Sequence, residues 1–253
     1  MGLPRRQQRL TKKKRRQLRQ EGVLDDQNNI NIGNFSLSNS IRPITNNQRI
    51  AFESWDEGYN MFLHGLPGTG KTFMALYFAL NAVMDPDTPQ RKVYIVRSTV
   101  ATRNQGFMPG NQKQKEAVYE EPYPPICGEL FERGDAYNIL KQKDLVEFRS
   151  TSFLRGVTFD NAVVVVDEVQ NLSDGECHTI MTRPGENTRI IFSGDLKQDD
   201  LTSERFCEKS GLADFMRIIR DMREFDFVEF EADDIIRSSL VKSYIIARDG
   251  LGL

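Results

Sequence analysis

The stretch Asn60-Met61-Phe62-Leu63-His64-Gly65-Leu66-Pro67-Gly68-Thr69-Gly70-Lys71-Thr72-Phe73-Met74-Ala75 decides the fold. Its first five residues predict a short buried strand, and the apolar run from Phe73 to Leu80 predicts the start of a helix. Between them, Gly65 and Gly70 bracket four residues and are followed by Lys71 and Thr72, which is the phosphate-loop spacing. Glycines let successive backbone N–H groups curl round a phosphate with no Cβ in the way. The helix N-terminus adds partial positive charge at the same place. The loop Gly65, Leu66, Pro67, Gly68, Thr69 and Gly70 is therefore expected to wrap the phosphates of a nucleotide such as ATP. Lys71 is expected to reach the β- and γ-phosphates, and the Thr72 hydroxyl to ligate Mg²⁺.

A second segment supports the first. Ala162-Val163-Val164-Val165-Val166 is uninterrupted apolar sequence, the pattern of a strand buried on both faces of a parallel sheet. Asp167 follows at the C-terminal end of that strand, where open α/β sheets bind ligands. It is the candidate second metal ligand, and Glu168 is the candidate base that polarises the attacking water.

Working outward, the pattern alternates. Asn46 to Trp55 reads as a helix, Lys92 to Arg97 as a strand, and Phe148 to Phe153 as another. Arg189 to Gly194 reads as a strand ending at Asp195, residues 209–221 as a helix, Phe225 to Phe230 as the last strand, and Ile235 to Ala247 as the last helix. This alternation implies an α/β fold, a mainly parallel sheet with helices on both faces. Residues 101–145, with the proline-rich Glu121-Pro122-Tyr123-Pro124-Pro125, read as the least regular part, and a loop-like insertion of that length is usually functional.

Bulk properties narrow the class. With 253 residues, 39% hydrophobic and 28% charged, the chain can bury a substantial core. No segment approaches the roughly 18 consecutive apolar residues of a membrane span, and no apolar signal-peptide core is present. Three cysteines, Cys127, Cys177 and Cys207, show no metal-type spacing, and a reducing, cytoplasmic compartment fits them. The net charge of −2 conceals an asymmetry, since residues 1–22 carry nine basic residues and one acid. Residues 1–43 are thus expected to form a basic arm and linker ahead of a catalytic domain at 44–253. A polyanion-binding arm and a solvated tail both fit that composition.

Two further residue classes bear on hydrolysis. Gln198, just past the strand ending at Gly194, is an amide able to sense a terminal phosphate or hold a water in line. Transition-state charge calls for an arginine, with Arg237, Arg183 and Arg155 as candidates, each equally able to serve an ordinary salt bridge.

Together these segments resemble the PhoH-like family of ATPases, whose nucleotide-binding domain is similar to one RecA-like core of superfamily-one helicases. The resemblance covers about residues 44–247. It rests on Asn47-Gln48, the phosphate loop, Val96-Arg97, Gly106-Phe107-Met108-Pro109-Gly110, Phe153 to Phe159, Asp167-Glu168-Val169-Gln170-Asn171, Thr182-Arg183, Gly194 to Asp200, and Asp234-Ile235-Ile236-Arg237. It implies ATP and Mg²⁺ binding, ATP hydrolysis, a regulatory link to phosphate starvation, an adenine contact by Gln48, catalysis by Glu168 and a phosphate contact by Arg237. Ser98 and Val169 depart from the family's usual proline and alanine, and neither change removes a phosphate ligand. A short domain with a basic arm is similar to bacteriophage members, placing it in a bacterial or infected-host cytoplasm.

The leading expectation is a magnesium-dependent ATPase acting on RNA or single-stranded DNA. Because helicases place ATP between two RecA-like cores and one is read here, self-assembly into a ring such as a hexamer is expected. The alternative is a nucleotide-dependent regulatory or interaction module with no unwinding activity. A small-molecule kinase fits less well, because the adjacent Asp167-Glu168 pair and the Gly194 to Gln198 segment suit water-directed hydrolysis.

Overall fold

A computed structural model describes residues 35–99, 117–195 and 212–251. Its strands are β1 (Asn60–Gly65), β2 (Lys92–Arg97), β3 (Val146–Ser150), β4 (Ala162–Asp167), β5 (Arg189–Gly194) and β6 (Phe225–Phe230). They form one sheet in the order β3-β2-β4-β5-β1-β6, and every pairing is parallel. The valine run lies in β4, flanked by β2 and β5, and all six residues of β4 are buried.

The two-residue period of the strands divides their side chains between two cores. Met61, Leu63, Ile95, Val163, Val165 and Ile191 face one side. There they meet α1 (Asn46–Glu57), α2 (Lys71–Met84), α3 (Tyr123–Phe131) and α4 (Ala136–Gln142). Phe62, Val96, Val164, Val166 and Phe192 face the other side, against α5 (Asp174–Met181) and α6 (Leu212–Arg220). The expected α/β architecture with helices on both faces is therefore present. Before the Ser239–Gly250 helix, α7, the chain makes a short 3-10 turn over Ala232–Asp234.

Local chemistry fixes the element ends. Thr45 caps α1 by accepting the Gln48 N–H, and Gly58 closes it at φ 100°. Ser173 and Glu176 form a reciprocal capping box at the start of α5. Residues 35–44 are irregular yet packed: Phe35 is buried and its ring stacks on Phe131 with centroids 4.3 Å apart.

Three expectations are corrected. The proline-rich segment is not loop throughout, because Tyr123–Phe131 is helical with Pro124 and Pro125 in the first turn, where a missing N–H costs no hydrogen bond. The strand expected to reach Phe153 stops at Ser150, whose hydroxyl accepts the Ser152 N–H and turns Thr151–Phe153 into 3-10 helix. The last helix starts at Ser239 rather than Ile235, so Arg237 precedes it. The Ile236 N–H is drawn aside to Gly68 O at 3.0 Å. The Gly106–Gly110 segment, Gln198, Cys207 and the basic arm lie outside the described residues.

Candidate functional site

The C-terminal ends of β1, β4 and β5 converge on a cleft of about 690 Å³ whose walls include Gln48, Lys71, Arg97, Asp167, Glu168 and Arg237. The chain leaves β1 into the phosphate loop because Gly65, Gly68 and Gly70 take φ values of +115°, +75° and +87°. At Gly65 the loop also passes so close to β6 that a Cβ would stand 2.2 Å from Phe230 O. Gly70 then starts α2 with no side-chain cap, and no acidic residue lies in the first turn. The N–H groups there carry the helix's partial positive charge toward the cleft.

Lys71 is buried, and its Nζ donates to Gly65 O at 2.9 Å and Leu66 O at 2.6 Å. Burial pulls its pKa down to about 8, against the opposing pull of Asp195, Glu168 and Asp167. The Thr72 hydroxyl donates to Asp167 Oδ1 at 2.8 Å, joining the loop to the end of β4. The other oxygen, Asp167 Oδ2, accepts from the Tyr123 hydroxyl at 3.1 Å.

Glu168 follows in left-handed backbone, φ 54°, which turns its side chain out of the sheet beside Asp167. Burial first, and Asp167 second, raise its carboxyl above the ordinary range, while Arg97, Gln170 and Lys71 oppose that rise. Gln170 Nε2 donates to Glu168 Oε2 at 2.6 Å, and Gln170 Oε1 accepts the Asp195 N–H at 3.1 Å. One amide thus ties Glu168 to the strand end from which the Gln198 segment departs.

Gln48 is buried, with Nε2 donating to Thr69 O at 3.2 Å and Oε1 accepting the Ile44 N–H at 2.8 Å. One amide hydrogen and one lone pair remain, so a base edge is still within its capacity. Arg237 stands over the loop, where a Cβ on Gly68 would lie 3.0 Å from its Cγ. Of the three candidate arginines, Arg237 lines the cleft, whereas Arg155 and Arg183 do not. Arg183 lies beyond α5, its Nε donating to Thr179 O at 3.3 Å.

With this geometry in place, the match to known proteins is specific: the model of the family described as PhoH-like protein covers residues 40–248. The chain belongs to the PhoH family. A PhoH-like protein of Bacillus subtilis is 30% identical over 211 residues, 83% of this chain and 64% of its own length. Protein PhoH of Escherichia coli K12 is 32% identical over 182 residues, 71% of this chain and 50% of its own. The chain therefore spans between half and two thirds of these relatives. Among solved structures, the Pif1 helicase of Candida albicans superposes with a TM-score of 0.43 at 12% identity, covering 84% of this chain and 44% of that one.

The PhoH-family cleft fits a magnesium nucleotide. Thr72 and Asp167 offer the hard oxygen ligands that Mg²⁺ prefers. Ser193 Oγ, at the end of β5 in the cleft wall, is buried with no hydrogen-bond partner among the described residues. A buried orphan hydroxyl calls for a polar partner. Sequence reading missed Ser193, Gln170, Arg97 and Tyr123 as site residues. Gln170 and Arg97 sit inside the family-like segments, which is a signal for them, but a tyrosine among prolines carries none. Among the described residues, Cys127 and Cys177 are free and buried with thiols pushed up to about 12 by burial, and no His/Cys/Asp/Glu metal cluster occurs. No described helix is long and apolar enough to cross a membrane.

Proposed function

We propose that this chain is a magnesium-dependent ATPase that couples hydrolysis to binding and remodelling of RNA or single-stranded DNA. The observation that carries the reading is the 2.8 Å bond from Thr72 to Asp167, which brings the phosphate loop and the acidic strand end onto one point, with Glu168 beside it. Loop and helix amides bind the phosphates, and Lys71 neutralises the β- and γ-oxygens. Thr72 and Asp167 would hold Mg²⁺, which would supply further charge neutralisation. Glu168 takes a proton from the attacking water, a role suited to a carboxyl whose proton affinity is raised. Gln198 holds that water or reports the terminal phosphate, and Arg237 adds positive charge from above Gly68.

Polynucleotide action rests on the nine basic residues of 1–22, and in this reading a neighbouring chain in a ring such as a hexamer closes the cleft at the C-terminal edge of the sheet. The test is phosphate release with and without RNA and single-stranded DNA, beside light scattering in ATP. Polynucleotide stimulation and a multi-subunit mass are expected. A flat rate at low salt favours the nucleotide-dependent regulatory module instead, and a strict monomer with undiminished turnover rejects the ring. Deleting residues 1–22 should weaken polynucleotide binding and flatten its salt dependence; an unchanged slope makes the arm a passive tail.

A further inference from the structure

Tyr123 is the largest fully buried side chain among the described residues, and it sits in the first turn of α3, remote in sequence from every phosphate-binding residue. Its ring packs against Phe148 with centroids 6.0 Å apart. Its hydroxyl donates to the Asp167 carboxylate, and the Arg97 guanidinium is near enough to interact with both. The Arg97 guanidinium, close to the same hydroxyl, has donors and no acceptor, so toward the tyrosine oxygen it can only donate. The one hydroxyl proton is thereby left for Asp167 Oδ2, 3.1 Å away. The direction of the Tyr123–Asp167 bond is fixed by the carboxylate, which can only accept. Arg97 is held at its other side as well, with Nη1 3.5 Å from Tyr119 O and Nη2 4.0 Å from Glu168 Oε1.

The consequence lies in the orientation of Asp167. A direct arginine–carboxylate pair would engage the oxygens that a divalent cation needs. With a neutral hydroxyl as its partner instead, Asp167 is held in a fixed plane, Oδ1 toward Thr72 and Oδ2 toward Tyr123. Arg97 is at the same time left leaning toward Glu168. We propose that Tyr123 is a positioning residue that aims the Asp167 carboxylate at the nucleotide's divalent cation. This rests on the magnesium-nucleotide reading of the cleft.

The test is Tyr123→Phe, which removes one hydroxyl and keeps the ring. A fluorescent ATP analogue is titrated into the full chain with Mg²⁺ and with chelator. In wild type, Mg²⁺ tightens binding. In Tyr123→Phe, affinity in chelator stays within about twofold, while half-saturating Mg²⁺ rises about tenfold, the usual scale for losing a partner behind a metal ligand. Phe148→Leu loosens the packing of the ring without touching the hydroxyl. It lowers the melting temperature and leaves the Mg²⁺ requirement unmoved. A Tyr123→Phe variant with wild-type Mg²⁺ dependence, or one weakened equally with and without metal, overturns the assignment. Wild-type protein that binds nucleotide equally in Mg²⁺ and chelator overturns the magnesium-nucleotide reading as well.

Discussion

Arg237 lies against Gly68, close enough that a Cβ on the glycine would come within 3.0 Å of the arginine's Cγ. The Ile236 N–H, bonded to Gly68 O at 3.0 Å, holds that segment in place. The phosphate loop is therefore roofed by residues more than 160 positions further along the same chain.

Arg237→Ala should weaken nucleotide binding about tenfold, the scale of one lost charge-assisted hydrogen bond. Gly68→Ala should give a comparable loss with Arg237 intact, through φ +75° and the crowding of that side chain. Titration with a fluorescent nucleotide checks both. Unchanged affinity in Arg237→Ala would leave the arginine as a lid contact only.

Gly65 is constrained by backbone rather than by ligand. Gly65→Ala must accept φ +115° and displace Phe230 O from 2.2 Å. Urea denaturation should show a loss of about 3 kcal/mol or more. Gly134→Ala, with open space at its Cβ, should stay within about 0.5 kcal/mol. Equal stability of the two variants would contradict the close approach of β1 to β6.

Glu168→Gln should bind nucleotide and hydrolyse it at least about a hundredfold more slowly. It should also change stability with a definite sign. A carboxyl raised above its ordinary value of 4.5 in the fold favours folding while protonated, and that contribution is lost as pH climbs through the raised value. The melting temperature of Glu168→Gln should therefore gain on wild type between pH 4 and neutrality. A constant gap across that range would reject the raised carboxyl.

Lys71 makes nucleotide affinity pH-dependent. Its pKa of about 8 lies below the ordinary 10.5, and a phosphate beside it restores the charged form. The complex then holds more protons than the free protein above about pH 8, so affinity should fall as pH rises from 8 towards 10.5. Titrations at pH 7, 8 and 9 check the slope. Affinity flat across pH 7 to 9 would place the lysine outside the phosphate contact.

The parts of this molecule legible in sequence are those whose cause is local. Val163 to Val166 can only be a doubly buried strand, and Gly65 to Thr72 can only turn where glycines permit; β2, β5 and β6 lie where the apolar runs place them. What escaped depends on distant partners. Tyr123 to Pro125 looks like loop because prolines break helices in general, yet they are tolerated in a first turn. The last helix starts late because an N–H is taken by Gly68, a contact invisible to periodicity. Arg97, Tyr123 and Asp167 come together only once β2, α3 and β4 are packed. Asp167 and Lys71, by contrast, were readable because strand end and glycine loop announce them locally.

The most direct measurement is calorimetric titration of Mg²⁺-ATP into the full chain and into Lys71→Ala. Saturable binding to wild type that is lost or weakened at least about a hundredfold in the variant is the expected result. No binding heat from folded wild-type protein across micromolar to millimolar nucleotide, or equal affinity in the two proteins, would contradict the assignment of this cleft to a nucleoside triphosphate.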